Sequence, residues 1–437
     1  MRKKTILVTL VVMLLAMLAC ELPDLPWPEG TPDASALATM VESQLQTMLP
    51  PTATEPEATP DVEPTESTPP TATPTEPLCQ PQPPAPLPPP MPAGLAATVP
   101  DSETVELIDF QSNILQSRDA SGLVFEDREF LHVAGPISQG PFALPVLFHA
   151  LENNGVLKVN VQGTTNQVEQ VPMMIAMAGA AGEPFIAYSN YDSSPAGWIS
   201  YLYAADLIDF PGVAPLLTRD QGDGYVYFPI AIRSVNGQAE GVWYTLSMYG
   251  IGNIIFPPYR GLYYLDLQTL LVTEYLGFDQ YFGSLSPDQS WLSYRSGSGD
   301  PQSGIYLRNM MTCDEVFIAA DPTSVLGAGY AVFSPDNSKV AWIEASGDIM
   351  GTIDLLVRVA ATDGTIIAQS PMANLYGLAG GEELTWIKPV GWVDNDQVLY
   401  EMSLQDWSQK VVTRAEANFH NPIPMVVGSD FMGFYYP

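Results

Sequence analysis

From about residue 100 to the end of the chain, apolar and aromatic positions come in short runs separated by turn residues. VLFHAL, GVLKVNV, EPFIAYS, GWISYLYAADL, GVWYTLSMYG, RGLYYLDL and QVLYEMSL are examples. Each has strand length, is rich in Val, Ile, Tyr, Trp and Leu, and is bounded by Gly, Asn, Asp or Pro. No long 3.6-residue apolar period crosses this region, so the pattern predicts an all-β fold. The stretch is longer than one sandwich needs, which leaves several domains or a repeating closed form. The first hundred residues read differently. An apolar run from Ile6 to Leu18 is short for a membrane crossing, which needs about 20 apolar residues. Thr31-Pro32-Asp33 resembles a helix start, and Leu37, Met40, Val41, Leu45 and Met48 share one helical face, predicting a short helix over 33–49.

A repeat narrows the β architecture. LSPDQSWLSYRSGSGD (Leu285 to Asp300) aligns without a gap with FSPDNSKVAWIEASGD (Phe333 to Asp348), at an offset of 48. Ser286, Pro287 and Asp288 match Ser334, Pro335 and Asp336; Tyr294 falls on Trp342, and Ile305 and Leu307 fall on Ile353 and Leu355. The motif's chemistry is conformational. Ser accepts hydrogen bonds at the start of the turn, Pro pre-sets φ at the second position, and Asp bonds to backbone amides two residues on. Four strands in a period of roughly 40 to 50 residues make a propeller blade. The two copies resemble the Pro-Asp repeat of TolB-like propellers, a WD-like family, and the hairpin turn Ala361 to Thr365 fits the same pattern. Gly391 to Asp396, followed by QVLYEM, resembles a third turn that has lost its Pro.

The resemblance implies a six-bladed β-propeller over 101–437, with blades near 141–172, 173–222, 223–279, 280–325, 326–375 and 376–437. The count becomes seven if 100–140 forms a further sheet. TolB's own partners are not carried over, because the resemblance covers only the propeller repeat.

The N-terminus carries a second resemblance. Arg2, Lys3 and Lys4 precede the apolar run, and Leu18-Ala19-Cys20 is similar to the lipobox of bacterial lipoproteins, with Met17 where that family usually has Leu. The resemblance implies a signal peptide over 1–19 that is cleaved before Cys20. The Cys20 thiol would carry lipid, and the protein would sit on the extracytoplasmic side of the membrane, at the cell surface or in the periplasm. The segment 20–100 that follows is a linker by composition. It has no Lys or Arg, and runs such as PTATEPEATPDVEPTESTPPTATPTEP cannot bury enough apolar surface to offset their ordering entropy. Proline holds such a chain near polyproline II, so a disordered, extended, acidic Pro/Thr-rich stalk is expected.

Charge agrees with export and excludes one class of partner. Formal net charge is -33, with 49 acidic and 16 basic residues. Nucleic-acid binding needs a basic face to displace counterions from phosphates, and this chain has none in prospect. With Cys20 assigned to lipid, Cys79 and Cys313 remain, and an oxidising compartment would let them form a disulfide between stalk and domain.

Candidate catalytic chemistry is thin. His132, His149 and His420 are scattered, neither a G-x-S-x-G elbow nor an H-E-x-x-H pair occurs, and Ser296 to Gly299 reads as a plain loop. No catalytic residue, cofactor or metal site is assigned. Ca²⁺ is the one ion the acidic loops would suit, through Asp220, Asp223 and Gly224 or the aligned Asp300 and Asp348, although none completes an EF-hand. Tyr249, Tyr259, Tyr263 and Tyr264 surround the apolar loop Ile254 to Pro258, which suits either burial between blades or stacking on a ligand. Two functions follow. The first is a membrane-anchored, non-catalytic binding module for an envelope or extracellular protein, peptide or glycan. The second is an extracellular carboxylate- or Ca-dependent glycosidase, lyase or lactonase.

Overall fold

The computed structural model describes residues 81–436, leaving aside 99–103, 120–131, 138–145, 151–154, 160–165, 172, 180–182, 184, 195–196, 207–208, 221–223, 249–254, 297–303, 349–351, 405–408 and 429–430. The signal run, Cys20, Cys79 and the expected helix at 33–49 lie outside the described residues. The strands are β1 (Gly94–Thr98), β2 (Thr104–Asp109), β3 (Ile114–Asp119), β4 (His132–Ile137), β5 (Val146–Ala150), β6 (Gly155–Val159), β7 (Asn166–Gln170), β8 (Met174–Gly179) and β9 (Phe185–Ser194). Next come β10 (Gly197–Asp206), β11 (Leu217–Asp220), β12 (Tyr225–Val235), β13 (Gln238–Met248), β14 (Arg260–Asp266), β15 (Val272–Leu285), β16 (Trp291–Arg295), β17 (Gly304–Asn309) and β18 (Glu315–Ala319). The last third holds β19 (Gly327–Phe333), β20 (Lys339–Gly347), β21 (Ile353–Ala361), β22 (Ile366–Pro371), β23 (Leu384–Trp392), β24 (Gln397–Leu404), β25 (Lys410–Glu416), β26 (Ile423–Val427) and β27 (Phe431–Tyr435).

Chain neighbours pair antiparallel into four-stranded meanders: β4 to β7, β8 to β11, β19 to β22 and β23 to β26. The sheet β12 to β18 is two such units sharing β15. The N-terminal part of β15 lies against β14, with Leu262 opposite Leu276, and its C-terminal part lies against β16, with Leu285 opposite Leu292. The remaining sheet has the order β27-β1-β2-β3, so the last strand of the chain closes on the first. The innermost strands β27, β4, β8 and β12, and then β15, β19 and β23, stand side by side around an axis. The fold is a β-propeller.

Among the described residues seven four-stranded units are present, where the repeat spacing gave six; the condition attached to seven, a further sheet within 100–140, is met by β2 and β3. The stretch 376–437 expected as one blade yields its end, 431–435, to the closing sheet. Strand β1 falls inside the segment expected as linker. Gly94 pairs with both Asp109 and Tyr435, and Leu95 with both Ile108 and Phe434. That sheet packs on its neighbour through Leu95, Ala97, Ile108, Phe110, Leu399, Val412 and Phe434. Gly391 permits the contact: a Cβ there would overlap the Phe434 ring.

Burial explains which strands the sequence announces. The second strand of a blade is covered on both faces by adjacent blades, and in β20 every residue from Val340 to Ala345 is buried, giving the continuous run VAWIEA. The outermost strand β22 has no buried residue, and its sequence IIAQSP carries no clear alternation. Blade contacts are made by such inner strands, as in the cluster joining Ile343, Val357, Ile387, Trp392 and Tyr400.

Candidate ligand site in the axial channel

The two Ser-Pro-Asp turns fold alike. Ser286 Oγ accepts from the amides of Ser290 (3.1 Å) and Trp291 (2.9 Å) and donates to Asp288 Oδ1, which also accepts the Ser290 amide at 2.9 Å. In the second copy Ser334 Oγ accepts the Lys339 amide and donates to Asp336 Oδ1, which accepts the Ser338 amide at 3.0 Å. Gln289 and Asn337, the next residue in each, take φ of 63° and 60°. Burial alone would raise the Asp336 carboxyl, but hydrogen bonds from Ser338 and Ser334 outweigh it and hold the group below its usual range. The third turn keeps the same device without Pro: Asp394 Oδ1 accepts from the amides of Asp396 and Gln397. These residues are structural. They fix the innermost strand's end and tie it to the next blade, as Lys339 Nζ does by donating to Asn395 O at 2.6 Å and Asp396 Oδ1 at 2.7 Å.

The turns surround one mouth of an axial channel. The lobe there, about 520 Å³, is walled by β8, β12, β15, β19 and β23, with Ser286, Pro287, Pro335 and Trp392 at its rim. Pro90 and Pro92 also line it. They belong to an extended segment from Pro81 that lies on the propeller: Leu87 N donates to Asp288 O at 2.9 Å, Tyr275 OH donates to Gln82 O at 2.8 Å, and Pro83 is buried. The end of the expected stalk is therefore packed. Cys313, in the β17–β18 turn, is disulfide-bonded, and its partner lies outside the described residues.

A second lobe of about 410 Å³ shares Tyr259, Phe282, Gly283 and Val332 with the first and holds the charged side chains Arg295, Lys388 and Glu401. Three features build it. The first is an Arg-Tyr-Arg ladder, in which Arg260 on β14 is registered opposite Tyr281 on β15, which is opposite Arg295 on β16. Directly opposed residues share a sheet face, so both guanidinium groups meet the Tyr281 ring, at 3.9 Å and 5.1 Å from its centroid. The second is Phe256, whose ring lies 5.1 Å from the Arg295 guanidinium and against β19 at Gly329, where a Cβ would collide with it. The third is Tyr330, held at φ 53° where the β19–β20 register slips between Gly329 and Val332. A left-handed aromatic residue at a bulge is costly and re-aims its side chain. Here it places Tyr330 between Phe256, Trp386 and the Lys388 ammonium.

The electrostatics of this lobe are unusual for so acidic a chain. Lys388 and Glu401 face each other at 3.5 Å across β23 and β24. Arg295 has no carboxylate partner among the described residues, and neither has Arg260. Dense surroundings pull the Arg295 guanidinium down to about 10; the Tyr281 and Tyr330 hydroxyls oppose the shift and Arg260 adds to it. Arg295 nevertheless keeps part of its surface accessible, as a group facing a channel does. Burial pushes the Tyr330 hydroxyl up to about 12, with the Glu401 charge adding and Arg295 opposing.

Other sequence candidates do not converge. Asp220 ends an outer strand and Asp348 lies in the β20–β21 turn of another blade; Asp223 and Asp300 are outside the described residues. Among the described residues no three His, Cys, Asp or Glu side chains gather as a metal site would require. His420 is exposed in the β25–β26 turn. The apolar loop divides its roles: Ile255 joins the core between blades, while Phe256 and Tyr259 line the lobe. Tyr263 and Tyr264 pack within their own sheet, on Tyr244 and Trp243.

No family model and no curated protein matches the chain. Solved structures do. A prolyl endopeptidase structure aligns over 78% of this chain and 51% of its own length, at 9% identity and a TM-score of 0.50. TolB from Acinetobacter baumannii covers 78% of this chain and 81% of its own at 15% identity (TM-score 0.39), and an oligogalacturonate lyase from Vibrio parahaemolyticus covers 75% and 83% at 13% (TM-score 0.43). At these identities the likeness concerns the fold.

Proposed function

We propose that this protein is a membrane-anchored extracytoplasmic lipoprotein whose propeller is a binding module, with the axial channel as its ligand site. Cys20 carries the lipid and the segment up to about residue 80 is the tether, a reading that rests on the lipobox resemblance and the absence of Lys and Arg between Lys4 and Arg118. Cys79 is the partner of Cys313 in this reading; the packed segment that begins at Pro81 supports it by bringing the chain onto Tyr275, whose carbonyl accepts from Arg308 in the strand before Cys313.

The observation that carries the binding role is the second lobe itself. Tyr330 is held in a costly backbone conformation, Arg295 has no carboxylate among the described residues, and both line one cavity. Strain and unpaired charge persist where a ligand repays them. The wall offers recognition groups: the Arg295 guanidinium, the Lys388 ammonium set against Glu401, and several rings.

Two measurements test this. The full chain, expressed in a lipid-modifying bacterium, should partition into detergent, and Cys20→Ala should move it to the aqueous phase. A thermal-shift screen of small molecules against the full chain should yield ligands that Tyr330→Ala weakens and that are recovered chemically unchanged. Recovery of a cleaved or eliminated product would replace the binding role with the enzymatic one.

A further inference from the structure

Three places outside the turn motifs carry polar or charged groups against the fold: the strap of prolines over the first lobe, the buried Glu344–Arg358 pair, and the Arg295 lobe. The strap is covered by its own hydrogen bonds. Glu344 is saturated, accepting from Trp342 Nε1, Arg358 Nη1 and the Asp321 amide. The Arg295 lobe is left with charge to spend.

We infer that this lobe binds a small organic monocarboxylate with an aromatic or alicyclic body; the inference rests on the channel being a binding site and names its ligand class. Charge sets the anion. Among the described residues Lys388 is offset by Glu401 at 3.5 Å, so the one uncompensated charge lining the lobe is that of Arg295, with Arg260, which likewise has no carboxylate there, reinforcing it from the other side of Tyr281. A dianion such as a phosphate monoester would meet the Glu401 carboxylate, whereas a monoanion is matched. The Arg295 guanidinium lies over the Phe256 and Tyr281 rings, which accept no proton from it in the plane, and its N–H groups suit the two oxygens of a carboxylate.

Shape sets the body. Phe256, Tyr259 and Tyr330 wall the lobe, and its volume of about 410 Å³ accommodates a bicyclic ring. Arg260 and Arg295, both drawn to the same ring, repel each other. A carboxylate on Arg295 relieves that repulsion, so the bound state gains what the empty state lacks.

The test uses the full chain and two probes of the same shape, 2-naphthoate and the neutral 2-naphthylmethanol, titrated by calorimetry. Naphthoate should bind about tenfold or more tightly than the alcohol. Arg295→Gln should erase that preference, bringing the two probes to similar affinity, and Tyr330→Ala should weaken both. Lys388→Gln supplies an independent arm should Arg295→Gln fold poorly: it leaves Glu401 uncompensated and should also abolish the preference. Equal binding of the two probes to the unaltered protein, or naphthoate affinity that survives both Arg295→Gln and Lys388→Gln, would overturn the inference. No naphthoate binding up to millimolar concentration, alongside screen hits recovered unchanged, would sink the ligand class and leave the binding role standing; chemical conversion of hits would sink the role itself.

Discussion

Arg358 and Arg295 sit on adjoining blades, the first on the third strand of its blade and the second on the second strand of its own, and they differ in what faces the charge. Arg358 on β21 meets the fully buried Glu344 at 2.7 Å, donates also to Ala319 O at 2.7 Å, and lies 5.2 Å from the Trp342 ring; only its Nε lacks a partner. Arg295 on β16 has rings on the same footing but no carboxylate among the described residues. Arg233 and Arg308 follow the first pattern, paired with Glu240 and Glu315. Arg233, Arg308 and Arg358 are given their anion by the chain, whereas Arg295, which faces the channel, has none among the described residues.

The sharpest way to break this contrast is Arg358→Met. It strands Glu344 in the core without its cation and should cost about 3–5 kcal/mol in denaturant unfolding, enough to consume a large part of an ordinary domain's stability. A loss below 1 kcal/mol would show that the pair is not structural. Adding Glu344→Leu to Arg358→Met should recover only part of that loss: two apolar groups need no counter-charge, but Trp342 Nε1 and the Asp321 amide lose their acceptor. Arg295→Met should shift stability by no more than about 1 kcal/mol in either direction, since lost cation–π contact is set against relieved repulsion from Arg260. A loss comparable to that of Arg358→Met would place Arg295 among the structural arginines.

The smallest effect concerns the turns. The Asp336 carboxyl is depressed in the folded protein, so its contribution is present above the unfolded value near 4 and is lost as pH falls through the lower folded value. Asp336→Asn should therefore cost roughly 1 kcal/mol at most at pH 7, discounted for exposure, and progressively less as the pH falls below 4. Thermal melts across that range would read the difference.

The turns were legible in the sequence because their chemistry is local: Ser286 and Asp288 bond to amides within five residues of themselves, and a second copy at Ser334 and Asp336 repeats the pattern. Inner strands were legible too, since double-sided burial leaves continuous apolar runs such as VAWIEA. The closing sheet was not, because FMGFY reads as one more strand of the last blade and only tertiary structure shows it beside Leu95 and Ala97. The ligand lobe was half visible. Phe256 and Tyr259 stood out as an apolar loop, whereas Tyr330 sits in GAGYAVF, whose two glycines just before the aromatic are the one local hint of a bulge. Arg295 carries no local signal, because its meaning comes from the register that sets it opposite Tyr281 and, through it, Arg260.

The closure of the ring by β27 and β1 has a mechanical consequence. Strand β1 lies between β2 and β27, and the chain before it leaves through Pro92 and Pro90 toward the N-terminus. Tension applied from that side would first peel the proline segment, whose grip is the hydrogen bonds at Leu87 and Gln82, and would then shear β1 out of the sheet that makes the ring continuous. A disulfide between Cys79 and Cys313 would divert the same pull into the blade of β17 and β18, upstream of both. The ring would then be tethered by its side and not by its seam, so a drag that unravels the reduced protein would leave the oxidised one closed.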